Sequence, residues 1–207
     1  MKLLTIIVLF LQTVAVRAQE YPFAKDFVHG TIVLKDSTQK TGQIKWYPDP
    51  GDKLKFREKE NSKTLKYAPE ELLGFNVDSL KFVSLFNFEA YAAQYALLGK
   101  KLKVKHTFGQ LQASGRYTIY FINISEYNAL SGAIQNYPNF VFEKKTDSGF
   151  QYAAYPVAIR MSNAKYEKAK EDLYVFFADS PEIIEKIKLF KQQDNFFEII
   201  DLVKRSN

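Results

Sequence analysis

The sequence predicts an α+β fold: an antiparallel β-rich body, as a sheet or partial barrel, followed by a C-terminal helical segment of about three short helices. Three observations lead there. From Phe27 to Tyr155, short runs of β-branched and aromatic residues alternate with turn residues. After Met161 the apolar spacing changes from every second residue to the spacing of one helix face. Helix-start residues then recur, at Ser162 or Asn163, at Ser180-Pro181-Glu182 and at Asp194 or Asn195.

Taken in order, Phe27 to Leu34 is a β-branched and aromatic run, and Asp36-Ser37-Thr38-Gln39 supplies a turn. Gly42 to Tyr47 returns as a second strand. Pro48-Asp49-Pro50-Gly51-Asp52 is turn chemistry, since proline sets φ and glycine accepts positive φ. Lys53-Leu54-Lys55-Phe56-Arg57 alternates strictly, which turns Leu54 and Phe56 to a core and the cations to water. Short apolar runs follow at Leu65–Tyr67, Gly74–Val77 and Lys81–Phe86, and Pro69-Glu70-Glu71 reads as one helical turn between them. Further strands are expected at Leu102–Phe108, Arg116–Ile124, Asn139–Glu143 and Phe150–Tyr155. Glu89 to Leu98 fits either a short helix ended by Gly99 or an irregular strand, and Asn128 to Asn136 reads as a loop. The helices are expected from Lys165 to Phe177, from Pro181 with an Ile183–Ile187–Phe190 stripe, and beyond Asn195 with a Phe196–Ile199–Ile200–Val203 stripe. Helices this short are marginal alone and must pack on each other or on the sheet.

The first segment sets the compartment. Lys2 precedes a nearly unbroken apolar run from Leu3 to Val16, and Val16-Arg17-Ala18 fits a cut after Ala18. This is the layout of a secretory signal peptide over residues 1–18. Fourteen helical residues span about 21 Å, short of a ~30 Å hydrocarbon core. No later segment approaches 18 apolar residues, so the mature chain is expected to have no transmembrane segment. It divides into a β-rich domain over 19–160 and a helical segment over 161–207. The expected addresses are periplasm, outer-membrane face or medium. Of 29 basic residues, removal of Lys2 and Arg17 leaves 27 against 23 acidic ones, a net charge of +4. Cysteine is absent, which excludes thiol catalysis, thiolate metal sites and disulfide staples, and favours bacterial export over secretion from a eukaryote.

The inventory of reactive groups is poor. His29 and His106 are the two histidines, and no Gly-x-Ser-x-Gly elbow, Walker loop or dinucleotide fingerprint occurs. Zinc lacks ligands at workable spacing, and Asp49/Asp52 lack the ligand order of a calcium loop. Glu58/Glu60 and Glu70-Glu71 are the dense acidic spots from which a glycosidase pair would have to come. No cofactor or metal is expected. Trp46-Tyr47 and Tyr117–Phe121 could stack on sugars or bases, but aromatic side chains in strands chiefly fill cores. The sequon Asn123-Ile124-Ser125 falls in an expected strand.

The stretch 30-GTIVLKDSTQKTGQI-44 resembles the opening of a group of uncharacterised exported proteins of Bacteroidota-type bacteria. Gly30, Ile32, Leu34, Asp36, Gly42 and Ile44 carry the likeness, and Ser37 stands where that group usually has glycine. The stretch 67-YAPEELLGFNVDS-79, an acidic helix start and a terminal asparagine resemble it too. The resemblance implies export and fold, and no activity.

Two cationic rows are the candidate site. Lys101, Lys103 and Lys105 share one face of a strand at roughly 6.6 Å spacing, and Lys53, Lys55 and Arg57 make a second row. Were the two strands neighbours, six cations would share one surface and could hold an anionic envelope component. Against this, lysine on exposed strands also blocks edge-to-edge pairing. Nucleic acid is disfavoured by the mild net charge and the scarcity of arginine. The sequence thus predicts an exported, non-enzymatic protein that binds a protein or envelope component. A hydrolase of envelope glycan or lipid, and an anion-binding module built on the lysine rows, are the alternatives.

Overall fold

A computed structural model of the protein describes residues 21–48, 53–93, 99–128, 132–147, 149–157, 161–191 and 194–207. The expected signal peptide over 1–18 and most of the Pro48–Asp52 turn lie outside the described residues. The fold is α+β. Ten strands form one open antiparallel sheet: β1 Val28–Leu34, β2 Gln39–Lys45, β3 Leu54–Arg57, β4 Leu65–Tyr67, β5 Leu72–Val77, β6 Leu80–Ala93, β7 Gly99–Ala113, β8 Thr118–Asn128, β9 Ala133–Thr146 and β10 Gly149–Pro156. Their spatial order is β10-β9-β8-β7-β6-β5-β1-β2-β3-β4. Three helices follow, α1 Asn163–Phe176, α2 Pro181–Leu189 and α3 Phe197–Arg205.

Two cores lie along this sheet. The first, on β1–β5, is aromatic. A 3-10 turn over Pro22–Ala24 sets Phe23 beside Trp46, whose amide donates to the Phe23 carbonyl at 3.0 Å. Phe75 and Phe82 stack at 4.4 Å, and Trp46 meets Phe108 edge-on. The alternation read at Leu54 and Phe56 holds, since both are fully buried while Lys53 and Lys55 are exposed. Pro69–Glu71 forms one 3-10 turn, and Glu71 reaches back to accept from the Ala68 amide at 2.8 Å.

The second core lies where β8, β9 and β10 are covered on both faces. Phe140, Phe142 and Tyr155 turn to the helices, meeting Phe196, Phe177 and, at 3.6 Å in a stack, Phe196 again. Residues of opposite parity turn to the β6–β7 hairpin. There Tyr152 meets Phe88, and the Asn139 side chain accepts from the Tyr91 amide and donates to its carbonyl, both at 2.9 Å.

One local expectation changes, and an open choice is decided over the described residues. The expected loop over Asn128 to Asn136 is strand at both ends, and residues 129–131 lie outside the described residues. β8 runs to Asn128, β9 starts at Ala133, and Tyr127 pairs with Ile134. Tyr127 and Ile134 stay exposed, so this paired stretch lacks the buried apolar face that marks a strand in sequence. Glu89 onward is strand as far as Ala93, paired to β7, and residues 94–98 lie outside the described residues.

Candidate functional site

β7 carries the first lysine row. Lys101, Lys103 and Lys105 are exposed, while Leu102 and Val104 are half-buried against the second core. Alternation on this strand is thus as expected, but the three lysines differ in company. Lys101 Nζ lies 2.9 Å from both Glu89 and Asp172, and Asp172 also accepts from the Tyr91 hydroxyl at 3.3 Å. Partial burial alone would lower the Lys101 pKa, but the Asp172 and Glu89 carboxylates outweigh it and hold the ammonium above the usual lysine value. Among the described residues, neither Lys103 nor Lys105 has a carboxylate within ion-pair distance.

The second row lies elsewhere. β2, β1, β5 and β6 separate β3 from β7, so Lys53, Lys55 and Arg57 do not join the β7 lysines on neighbouring strands. The expected six-cation surface is corrected accordingly: alternation fixes which face a residue takes, whereas strand order is a non-local outcome. Arg57 is committed locally, donating from Nε to the Gln43 side chain at 2.6 Å and lying 4.1 Å over the Phe27 ring. Lys55 stands abreast of Lys45 and Lys66 beside the outermost strand, where like charge opposes edge pairing.

The distinctive geometry lies between β7 and β8. β7 pairs with β6 along almost its whole length, and β8 pairs with β9 throughout. Between β7 and β8, however, pairing is confined to the hairpin end, at Gln110–Phe121, Leu111–Tyr120 and Ala113–Ile119. A register shift between Leu111 and Ala113 marks the bend. Gly109 lets the strands come together before they part, because a Cβ there would lie 2.5 Å from Leu85 and 3.2 Å from Ile122.

Beyond this point the strands diverge around a groove of about 250 Å³. One wall is β7 from Leu102 to Thr107, the other is β8 from Asn123 to Glu126, and Pro48 closes one side. The Ser125 hydroxyl donates to the Pro48 carbonyl, and Asn136 donates to the Tyr47 hydroxyl at 2.7 Å, which ties the first wing of the sheet to β8 and β9. His106 on the β7 wall contacts the Glu70 carboxylate. From sequence, Asn123 and Ser125 stand out only as a sequon and Pro48 only as a turn residue, and Glu126 does not stand out at all. Only the alternation in Ile122-Asn123-Ile124-Ser125 hinted at a polar face, and it does not reveal what that face meets.

A second cavity, of about 450 Å³, lies between β6, β10 and α1 and includes Glu89 and Asp172. Lys101 bridges these carboxylates with its ammonium 2.9 Å from each, so this arrangement reads as a clamp between β6, β7 and α1. Two of the four acids singled out in the sequence are engaged: Glu70 with His106, and Glu71 with the Ala68 amide. Among the described residues, no group of three or more potential metal-ligating His, Asp or Glu side chains converges, and no helix is long and apolar enough to cross a membrane. Comparison of the chain with protein-family models, with curated proteins and with solved structures returned no match.

Proposed function

We propose that this is an exported, non-enzymatic binding protein that holds a protein or envelope component by surface contact, with the β7–β8 groove as the contact site. One observation carries the reading: two long strands of one sheet part after a few paired residues and leave facing open edges beside Lys103 and Lys105. An open edge in the middle of a sheet leaves main-chain donors and acceptors that a folded partner can complete. The export half of the proposal rests on the Lys2, Leu3–Val16, Ala18 pattern.

The test is fractionation with amino-terminal sequencing, followed by in situ photo-cross-linking from position 123 in the groove and from exposed position 175 on α1 as a control. A chain starting near Gln19 outside the cytoplasm, with a discrete adduct from position 123 and none from position 175, is the expected outcome. An intact Met1 in the cytosol overturns the export half. Equal or absent adducts at the two positions overturn the groove as contact site.

A further inference from the structure

We infer that the groove takes an extended polypeptide segment in which acidic and apolar residues alternate, added as a strand along the open edge of β7. The inference rests on the binding reading above and names the class of partner. Three features of the groove converge on it.

The first is the open edge itself. β7 from Leu102 to Thr107 is held on one side by β6, and its pairing with β8 has already ended at Gln110. A ladder of main-chain N–H and C=O groups at strand spacing is completed by another polypeptide backbone, which is how peptide-binding domains add a strand to a sheet. A sugar chain or a nucleic acid has no such repeating donor–acceptor ladder.

The second is the pattern along that edge. Leu102, Lys103, Val104 and Lys105 alternate apolar and cationic, with the apolar pair half-buried and the cationic pair exposed. A strand added beside them places its own alternate residues on the same two faces. The complementary segment therefore carries acids opposite Lys103 and Lys105 and apolar side chains opposite Leu102 and Val104.

The third is which cations remain unpaired. Lys101 already holds Glu89 and Asp172, whereas Lys103 and Lys105 have no carboxylate in range among the described residues. Glu126 is the carboxylate on the facing wall. It disfavours acids on that side and so assigns the acidic partner to the β7 edge.

The test uses purified protein and a fluorescent peptide alternating glutamate with valine, read by anisotropy and by amide hydrogen exchange. Binding is expected to protect amides within 102–107. Lys103→Glu/Lys105→Glu should weaken binding at least about tenfold, and Glu126→Gln should strengthen it a few-fold. The same peptide N-methylated at alternate residues, which keeps the charge and removes half the backbone donors, should fail to bind.

Equal binding of the N-methylated peptide overturns strand addition. Preferential binding of oligo-dT or of a polyuronate of matched charge overturns the polypeptide assignment in favour of a general anion site. No saturation by the peptide at millimolar concentration overturns the inference outright. A groove adduct in the cross-linking experiment alongside any of these results would leave the contact reading standing and remove only the partner class.

Discussion

Two asparagine side chains do at single positions what strands do in runs. The Asn139 amide accepts from Tyr91 N–H and donates to Tyr91 C=O, both at 2.9 Å, and Asn207 does the same for Tyr117, both at 2.8 Å. An asparagine amide offers the donor–acceptor pair of a peptide unit, so it completes a ladder where the neighbouring strand is missing. Gly115 accommodates the second case, since a Cβ there would lie 2.5 Å from the Asn207 side chain. Asn207→Ala leaves one donor and one acceptor of Tyr117 without these partners and should cost about 1–2 kcal/mol, a drop of roughly 2–8 °C in Tm for a chain of this size. Asn139 is fully buried, so Asn139→Ala should cost more, about 2–3 kcal/mol. Thermal melts of the two variants beside the parent check both, and an unchanged Tm for Asn207→Ala would remove this role. Residue-scale features of this kind were half legible in the sequence. A terminal asparagine was visible as part of a resemblance, and its bonding to a residue 90 positions away was not. Ser37 shows the same limit. It adopts φ of +68° in the β1–β2 turn, the conformation for which glycine is the usual choice, and the Asp36 carboxylate steadies the turn by accepting from the Thr38 amide at 2.9 Å.

At the scale of elements, the sequence was most readable where one face is wet. β3 shows strict alternation, and α3 buries Phe196, Ile199, Ile200 and Val203 as its stripe requires. It was least readable where both faces are covered. Phe140, Val141 and Phe142 are all buried, as are Ala153, Ala154 and Tyr155, because helices lie on one side and a hairpin on the other. A run buried on both faces loses its period-two signature. The helix-start signal at Ser180 placed α2 correctly but not its chemistry. The Ser180 hydroxyl meets the Tyr117 hydroxyl at 2.6 Å instead of capping a helix amide. Asp179 completes this joint, accepting from Tyr117 at 2.7 Å and from Arg116 at 2.6 Å. Burial alone would raise the Asp179 pKa, yet hydrogen bonds from Tyr117 and Arg116 outweigh it and hold the carboxyl below the usual aspartate value. A depressed folded-state pKa gives stability that is present above the unfolded value and lost as the pH falls through the folded one. Asp179→Asn should therefore cost about 0.5–1 kcal/mol at neutral pH, since the joint is half-exposed and screened. The gap to the parent should close as the pH drops below the ordinary aspartate range. Urea titrations of both proteins across that range measure it, and a gap that persists in acid would mean that the carboxylate's charge is not what holds α2 to the corner.

For the whole molecule, the question is whether two cores in one sheet behave as one unit. The first core surrounds Trp46 and includes Phe82 and Phe108; the second includes Leu85, Phe88 and the helices. Both cores draw on β6 and β7: β6 passes from Phe82 in the first to Leu85 in the second, and β7 sets Phe108 in the first and packs Leu102 and Val104 against the second. The wings are also joined at a distance by the Tyr47–Asn136 and Pro48–Ser125 contacts, which close one side of the groove. Loss of either core would leave β6 and β7 with an uncovered apolar face, and separate unfolding would be expensive at about 25 cal/mol per Å² of apolar surface exposed. The sequence holds a single tryptophan, Trp46, so its fluorescence reports the first core alone, while the helical signal in far-UV circular dichroism reports the second. The two probes should give coincident midpoints in guanidinium. Ile199→Ala in α3, a residue buried only in the second core, should shift the Trp46 midpoint as far as the helical one. A Trp46 transition that stays in place while the helical one moves would show that the wings unfold independently, and the groove between β7 and β8 would then be a hinge between two bodies and not a fixed slot in one.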